Sequence, residues 1–136
     1  KLEQEYMPLF EKEQLGTTIW SPLCSGLLTG KYMDGEPKGT RTSLKDYKFL
    51  KDMFESDEFI QRHEQVKELY RLAQEAGLPL VNLALGWCLK NPNVSTVILG
   101  ASRAEQLKQN LKTEEYVSII DDSLMARIEI ILDNRP

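Results

Sequence analysis

The sequence predicts an α/β fold built on a parallel sheet, and three observations predict it. Thr17-Thr18-Ile19-Trp20 is β-branched and aromatic and is bounded by Gly16 and Ser21-Pro22, which is the signal of a short strand. Val94 to Leu99 (VSTVIL) reads as a second strand, apolar enough to be covered on both faces, as parallel strands flanked by helices are. Around these two runs lie segments whose apolar residues recur at helical spacing, and alternation of strands with helices marks a parallel sheet.

The elements follow in order. A first helix is expected from about Glu3 to Gln14, with Pro8 tolerated in its first turn. After the first strand, residues 21–43 hold Gly26, Gly30, Gly35 and Gly39 with Pro22 and Pro37, and read as a long loop with one helical turn. Loops of this length in compact domains are often functional. Helices are expected over Ser43–Met53 and Asp57–Ala76, the second with Val66, Leu69, Tyr70 and Ala73 on one face. Gly77 stops it, and Pro79 opens a helix striped by Leu80, Leu83, Ala84, Trp87 and Cys88 that ends at Asn91-Pro92. Beyond the second strand, Gly100-Ala101-Ser102 turns into a helix through Asn110. A last helix starts near Ser123 and carries Leu124, Ile128, Ile131 and Leu132. Two strands do not close a sheet, so apolar strand edges are expected to stay open in this chain taken alone.

Composition narrows the function classes. Of the 136 residues, 41% are hydrophobic, enough for a core, and the 28% that are charged argue against a membrane protein or a disordered tail. There is no apolar run of about 18 residues that could span a bilayer. The opening KLEQEYMPLF has no targeting character and no initiator Met, so the chain is expected to begin inside a longer one. A net charge of −4 with interspersed signs fits a cytoplasmic protein and leaves no basic stripe for nucleic acid. Cys24 and Cys88 read as reduced thiols. His63, in the polar run EFIQRHEQVKE, reads as a solvated helix position, and no cluster of zinc ligands is present.

Three features can carry chemistry. Ser102-Arg103-Ala104-Glu105 has the spacing of a capping box, Ser102 accepting from the N–H three residues on and Glu105 reaching back. It is either a well-made helix start or an anion site, since free N–H groups and the helix dipole favour phosphate there. Gln106, Gln109 and Asn110 continue along that face and offer amides to a purine or a ribose phosphate. Trp20-Ser21-Pro22-Leu23 ends the first strand, and is either a core Trp with a turn or a ring-stacking residue beside a phosphate-binding Ser. Gly26 to Tyr32 superficially suggests a P-loop, but the spacing is one residue short and Tyr32 stands where Ser or Thr would bind magnesium. A Gly-rich loop carrying Lys31, with Arg41 behind it, can still close over a pyrophosphate; equally, loop cations are often only solvated.

LGTTIWSPLCSGLLTGKY, with GTRTSLKDY behind it, and WCLKNPNVSTVILGASRAEQLKQN closely resemble the potassium channel β-subunit branch of the aldo-keto reductases. The resemblance covers essentially the whole chain, and microbial and plant oxidoreductases share the branch. It implies the C-terminal part of a (β/α)8 TIM barrel containing about two strands and their helices. The chain would then begin at the helix after the sixth strand. It implies NADP(H) bound in an extended conformation and reduction of a small carbonyl substrate, with a potassium channel α subunit and a homo-tetramer as possible partners. Trp20 would stack on the nicotinamide. Ser21, Pro22, Leu23, Cys24 and Ser25 would line the pyrophosphate path, Lys31 and Arg41 would hold phosphates, and Gly100, Ser102, Gln106, Gln109 and Asn110 would hold the 2′-phosphate and adenine. Gln109 stands where the family often has Glu, and Gly39 where the channel subunits have a Tyr that helps cover the cofactor. The family's catalytic Asp, Tyr, Lys and His fall in the preceding half, so no residue here is assigned to them.

Overall fold

The computed structural model describes residues 4–35, 52 and 56–134. Helix α1 runs Met7–Glu13 with Pro8 in its first turn, shorter than expected because Pro8 has no N–H to extend it upstream. Strand β1 is Thr17–Ile19. The loop beyond it contains a 3-10 turn, Cys24–Thr29. Helix α2 spans Asp57–Glu75 and α3 Leu80–Lys90. Strand β2 is Val94–Val97, followed by α4 (Ala104–Leu111), α5 (Thr113–Tyr116) and α6 (Asp122–Leu132). The helix expected over Ser43–Met53 lies outside the described residues.

β1 and β2 pair in parallel, as the sequence predicts. Thr17 faces Val94, Thr18 faces Thr96 and Ile19 faces Val97, so Ser95 is the extra residue of a bulge. Ser95 stands directly against Gly16, where any Cβ would collide with its side chain. Glycine therefore lets the bulge form. The Ile98 N–H donates to the Ile19 carbonyl at 2.8 Å and carries the pairing to the strand ends.

The expectation that β2 is covered on both faces is not met. Val94 and Val97 are half-buried, while Ser95 and Thr96 are exposed and Ile98 is 55% exposed. Helix α3 packs on β2, but the sheet has only two strands among the described residues, so apolar surface at the strand ends stays open.

The core lies between α2, α3 and α6. Val66, Leu69, Leu72 and Ala73 of α2 meet Leu80 and Leu83 of α3 and Leu124 and Ile128 of α6, with Leu27 and Ile120 added from loops. Each buried leucine contributes about 2 kcal/mol. Tyr70, placed on the core face by its spacing, is exposed, because the buried stripe of α2 is centred on Leu69 and Leu72. Ser56 caps α2 and Asp121 caps α6, each accepting from the N–H three residues on. Gln65 of α2 donates to the Ile131 and Leu132 carbonyls at 3.1 and 3.0 Å, closing the C-terminus of α6. His63 sits on α2 but is half-buried, with Nε2 shielded, rather than solvated.

Helix α3 also receives the α4–α5 connection. Asn82 is fully buried, and its Nδ2 donates to the Gln109 carbonyl at 2.9 Å and to Thr113 Oγ1 at 2.8 Å. One turn on, Gly86 lies under Ile120, where an added Cβ would overlap Ile120 Cδ1 and sit 3.8 Å from Thr113 Cγ2. Ile120 is itself fully buried and cannot retreat into solvent. Gly86→Ala should destabilise the protein by about 1–3 kcal/mol, the cost of overpacking a tight core. Chemical denaturation checks it, and a midpoint unchanged from the parent would show that Ile120 repacks freely.

Candidate functional site at the strand ends

Parallel pairing decides where the site residues go. Because Ile19 faces Val97, the segments that leave β1 and β2 emerge at the same, C-terminal, end of the sheet. Trp20 to Ser25 follow one strand and Leu99 to Ser102 follow the other. Ligand sites of parallel β/α folds lie at this end, where loops are free of the packing that fixes the strands.

On the β1 side, Trp20 is 80% exposed in this chain. Ser21, Cys24 and Ser25 have φ of 53°, 50° and 56°, and Gly26 follows at 99°. Left-handed non-glycine residues cost about 1–3 kcal/mol each and collect where a chain clamps a ligand. Three backbone bonds hold the turn: Cys24 N–H to the Ser21 carbonyl at 2.9 Å, Gly26 N–H to Leu23 at 2.9 Å and Leu28 N–H to Leu23 at 3.2 Å. Pro22 and Leu23 are half-buried beneath it.

Lys31 returns to this turn. Thr29 Oγ1 donates to the Gly26 carbonyl at 2.6 Å and accepts from the Lys31 N–H at 3.3 Å. The Lys31 side chain lies over Gly26, whose added Cβ would come within 2.9 Å of both Cε and Nζ. Its ammonium stands 4.7 Å from the centre of the Tyr32 ring, and Tyr32 is buried. Lys31 is exposed, and a cation over an aromatic face at such a site gains about 0.5–1 kcal/mol. Tyr32 as a seat for this cation was missed in the sequence, where it served only to exclude a P-loop; an aromatic directly after a loop lysine was the available signal. Arg41 lies outside the described residues.

On the β2 side, Gly100 is exposed and Ser102 precedes α4. The capping box expected at Ser102 and Glu105 does not form, because the helix starts one residue later. The N-cap is Arg103, without a side-chain bond, and Gln106 replaces Glu105 as the residue that reaches back. Gln106 Oε1 accepts from the Ser102 N–H at 2.9 Å and from its hydroxyl at 3.1 Å. With the helix starting one residue later, Gln106 lies one turn past Ser102 and reaches back to it, while the Arg103 guanidinium, which has no acceptor, cannot close a box. Ser102 and Gln106 thus form an exposed polar pair at the helix start. Gln109 is exposed, while Asn110 is buried at 6%. A phosphate accepting from the Ser102 hydroxyl would have to displace Gln106 Oε1 as its acceptor.

The two thiols differ. Cys24 is half-buried in the strained turn, whereas Cys88 is buried on α3 and burial pushes its thiol above the ordinary range. Among the described residues no group of His, Cys, Asp and Glu could hold a metal ion, and no helix is long and apolar enough to cross a membrane.

A parallel β/α chain with a strained loop and a polar helix start at one end of its sheet is the class of protein this geometry defines. Comparison with known proteins identifies the family. The chain matches the Aldo/keto reductase family over residues 2–133, and it belongs to that family. It is 38% identical over 137 residues to proteins of Arabidopsis thaliana and Oryza sativa subsp. japonica, each named "Probable voltage-gated potassium channel subunit beta". A Schizosaccharomyces pombe relative that also carries a channel subunit beta name is 40% identical over 134 residues. These matches cover 100%, 100% and 98% of this chain and 41%, 41% and 39% of the relatives, so the chain spans about two fifths of their length. It belongs with the channel β-subunit-like branch.

Because the thiolate is the reactive form, Cys88 should alkylate at least about tenfold more slowly than Cys24 at neutral pH. Peptide mapping after brief exposure to iodoacetamide checks this, with equal labelling expected only in denaturant.

Proposed function

We propose that the chain supplies the cofactor grip of an NADPH-dependent aldo-keto reductase that reduces aldehydes or ketones. The observation that supports this most is the shared end of β1 and β2. It gathers an exposed indole, a left-handed turn with a seated ammonium, and a polar helix start, which suit a flat ring and several phosphates in chemistry. When bound, NADPH supplies the hydride.

Each residue has its part in this reading. Trp20 stacks on the nicotinamide ring. Ser21 hydrogen-bonds a phosphate, and Pro22, Leu23, Cys24 and Ser25 line the path of the pyrophosphate. Lys31 contributes a point charge, and Arg41, assigned by resemblance alone, a bidentate fork. Ser102 and Gln106 take the 2′-phosphate beside Gly100, where the N-terminus of α4 adds its dipole. Gln109, exposed on α4, meets the adenine, with Asn110, buried at 6%, assigned there by resemblance alone. The acid that protonates the carbonyl lies outside this chain, and the whole protein works in the cytoplasm.

A second reading, a channel β subunit that uses NADP(H) as a redox sensor and assembles as a homo-tetramer on a potassium channel α subunit, is favoured by the names of the relatives at 38–40% identity. Capture of a channel's cytoplasmic domain separates the two.

Nicotinamide fluorescence tests the cofactor grip in the full-length protein. NADPH should bind far more tightly than NADH, and equal affinities would remove Ser102 and Gln106 from the site. Arg41→Ala should weaken NADPH binding by about 1–3 kcal/mol, as loss of a charged hydrogen bond does. An unchanged dissociation constant would make Arg41 a surface cation.

A further inference from the structure

We infer that Asn82 is a positioning residue for the adenosine end of the cofactor site, acting from α3 through the backbone of Gln109; the inference rests on the proposed NADP(H) reading.

The last carbonyls of a helix have no partner within it. In α4, Lys112 N–H returns to Lys108, and the Gln109 carbonyl is taken by Asn82 Nδ2 at 2.9 Å. A carbonyl only accepts, so this contact fixes which way the Asn82 amide faces. The same NH2 group donates its second proton to Thr113 Oγ1, the first residue of α5. One side chain therefore pins both sides of the α4–α5 junction to α3.

The geometry is costly and specific. Asn82 is fully buried, and its Oδ1 is buried with no hydrogen-bond partner among the described residues. A residue there for packing alone would be apolar, like its neighbours Val81 and Leu83. What the amide secures is the position of Gln109, whose side chain faces solvent while its own carbonyl is tied inward. The tether holds the last turn of α4, not its Ser102 start.

The test uses the full-length protein and 2′,5′-ADP, which carries the adenine and the 2′-phosphate but no nicotinamide. Asn82→Leu should weaken 2′,5′-ADP binding on the order of tenfold, the loss of about one hydrogen bond's worth of positioning. The emission of bound NADPH at saturation should not change, since Trp20 is untouched. Thr113→Val, which keeps the Gln109 tether, should leave 2′,5′-ADP affinity within about twofold even where it lowers the melting temperature. Should the leucine variant not fold, Asn82→Ser carries the same readings. Parent-like 2′,5′-ADP affinity in the Asn82 variant, or an equal loss in Thr113→Val, would overturn the role of Asn82 and leave the site reading intact. Failure of the parent protein itself to bind 2′,5′-ADP would overturn both.

Discussion

The parallel pairing of Thr17–Ile19 with Val94–Val97 is the constraint on which the rest depends. Parallel neighbours cannot be joined by a tight turn, so the chain must cross back over the sheet, and it does so with α2 and α3. That crossover supplies most of the core. It also makes the strands point the same way, so the chain leaves both at one end. Residues about 80 positions apart, Trp20 and Ser102, are thereby set on neighbouring exits. An antiparallel pair would have sent them to opposite ends.

Helix α3 is where the crossover, the core and the site meet. Leu80, Asn82, Leu83, Leu85, Gly86 and Cys88 are all buried, so the helix is covered nearly all round. Leu80 and Leu83 belong to the core with α2 and α6, and another side packs on β2. Asn82 and Gly86, one turn apart, receive the α4–α5 junction and Ile120. Three demands on one short helix explain its composition. The core wants leucine, the close approach at Ile120 wants no Cβ, and the open carbonyl of Gln109 wants a donor.

Much of this was legible from residue patterns. Strand and helix identities followed from apolar spacing and from Gly and Pro punctuation, and the parallel sheet from their alternation. What failed depended on partners distant in sequence. VSTVIL is apolar enough for a covered strand, but composition says what burial a strand tolerates, not what stands against it. Helix α5, four residues long, has no periodicity to read. The capping box did not form because the helix starts at Arg103 rather than Ser102, and local spacing does not fix that one-residue choice. Asn82 went unremarked beside the apolar stripe of its helix, and its partners, 27 and 31 residues away, could not be read from local spacing. The joining of Trp20, Lys31 and Ser102 into one site came from family resemblance. Spacing alone left each as an isolated candidate.

The two sides of the strand ends differ in how they are held, and the difference follows from their backbones. On the β1 side, Cys24, Ser25 and Gly26 are all left-handed, and the turn keeps that shape through backbone bonds within the loop and the Thr29 bridge to Gly26 and Lys31. Strain of this kind persists only where the surroundings over-determine it. On the β2 side the backbone is ordinary helix, held from outside by Asn82 at one end and locally by the Ser102–Gln106 pair at the other. The first arrangement fixes the backbone of the turn and sets one ammonium over it. The second places side chains and leaves their identity open. A Gln at position 109 can therefore stand where the family often has Glu without disturbing the fold, because the contact that holds position 109 is made by its carbonyl.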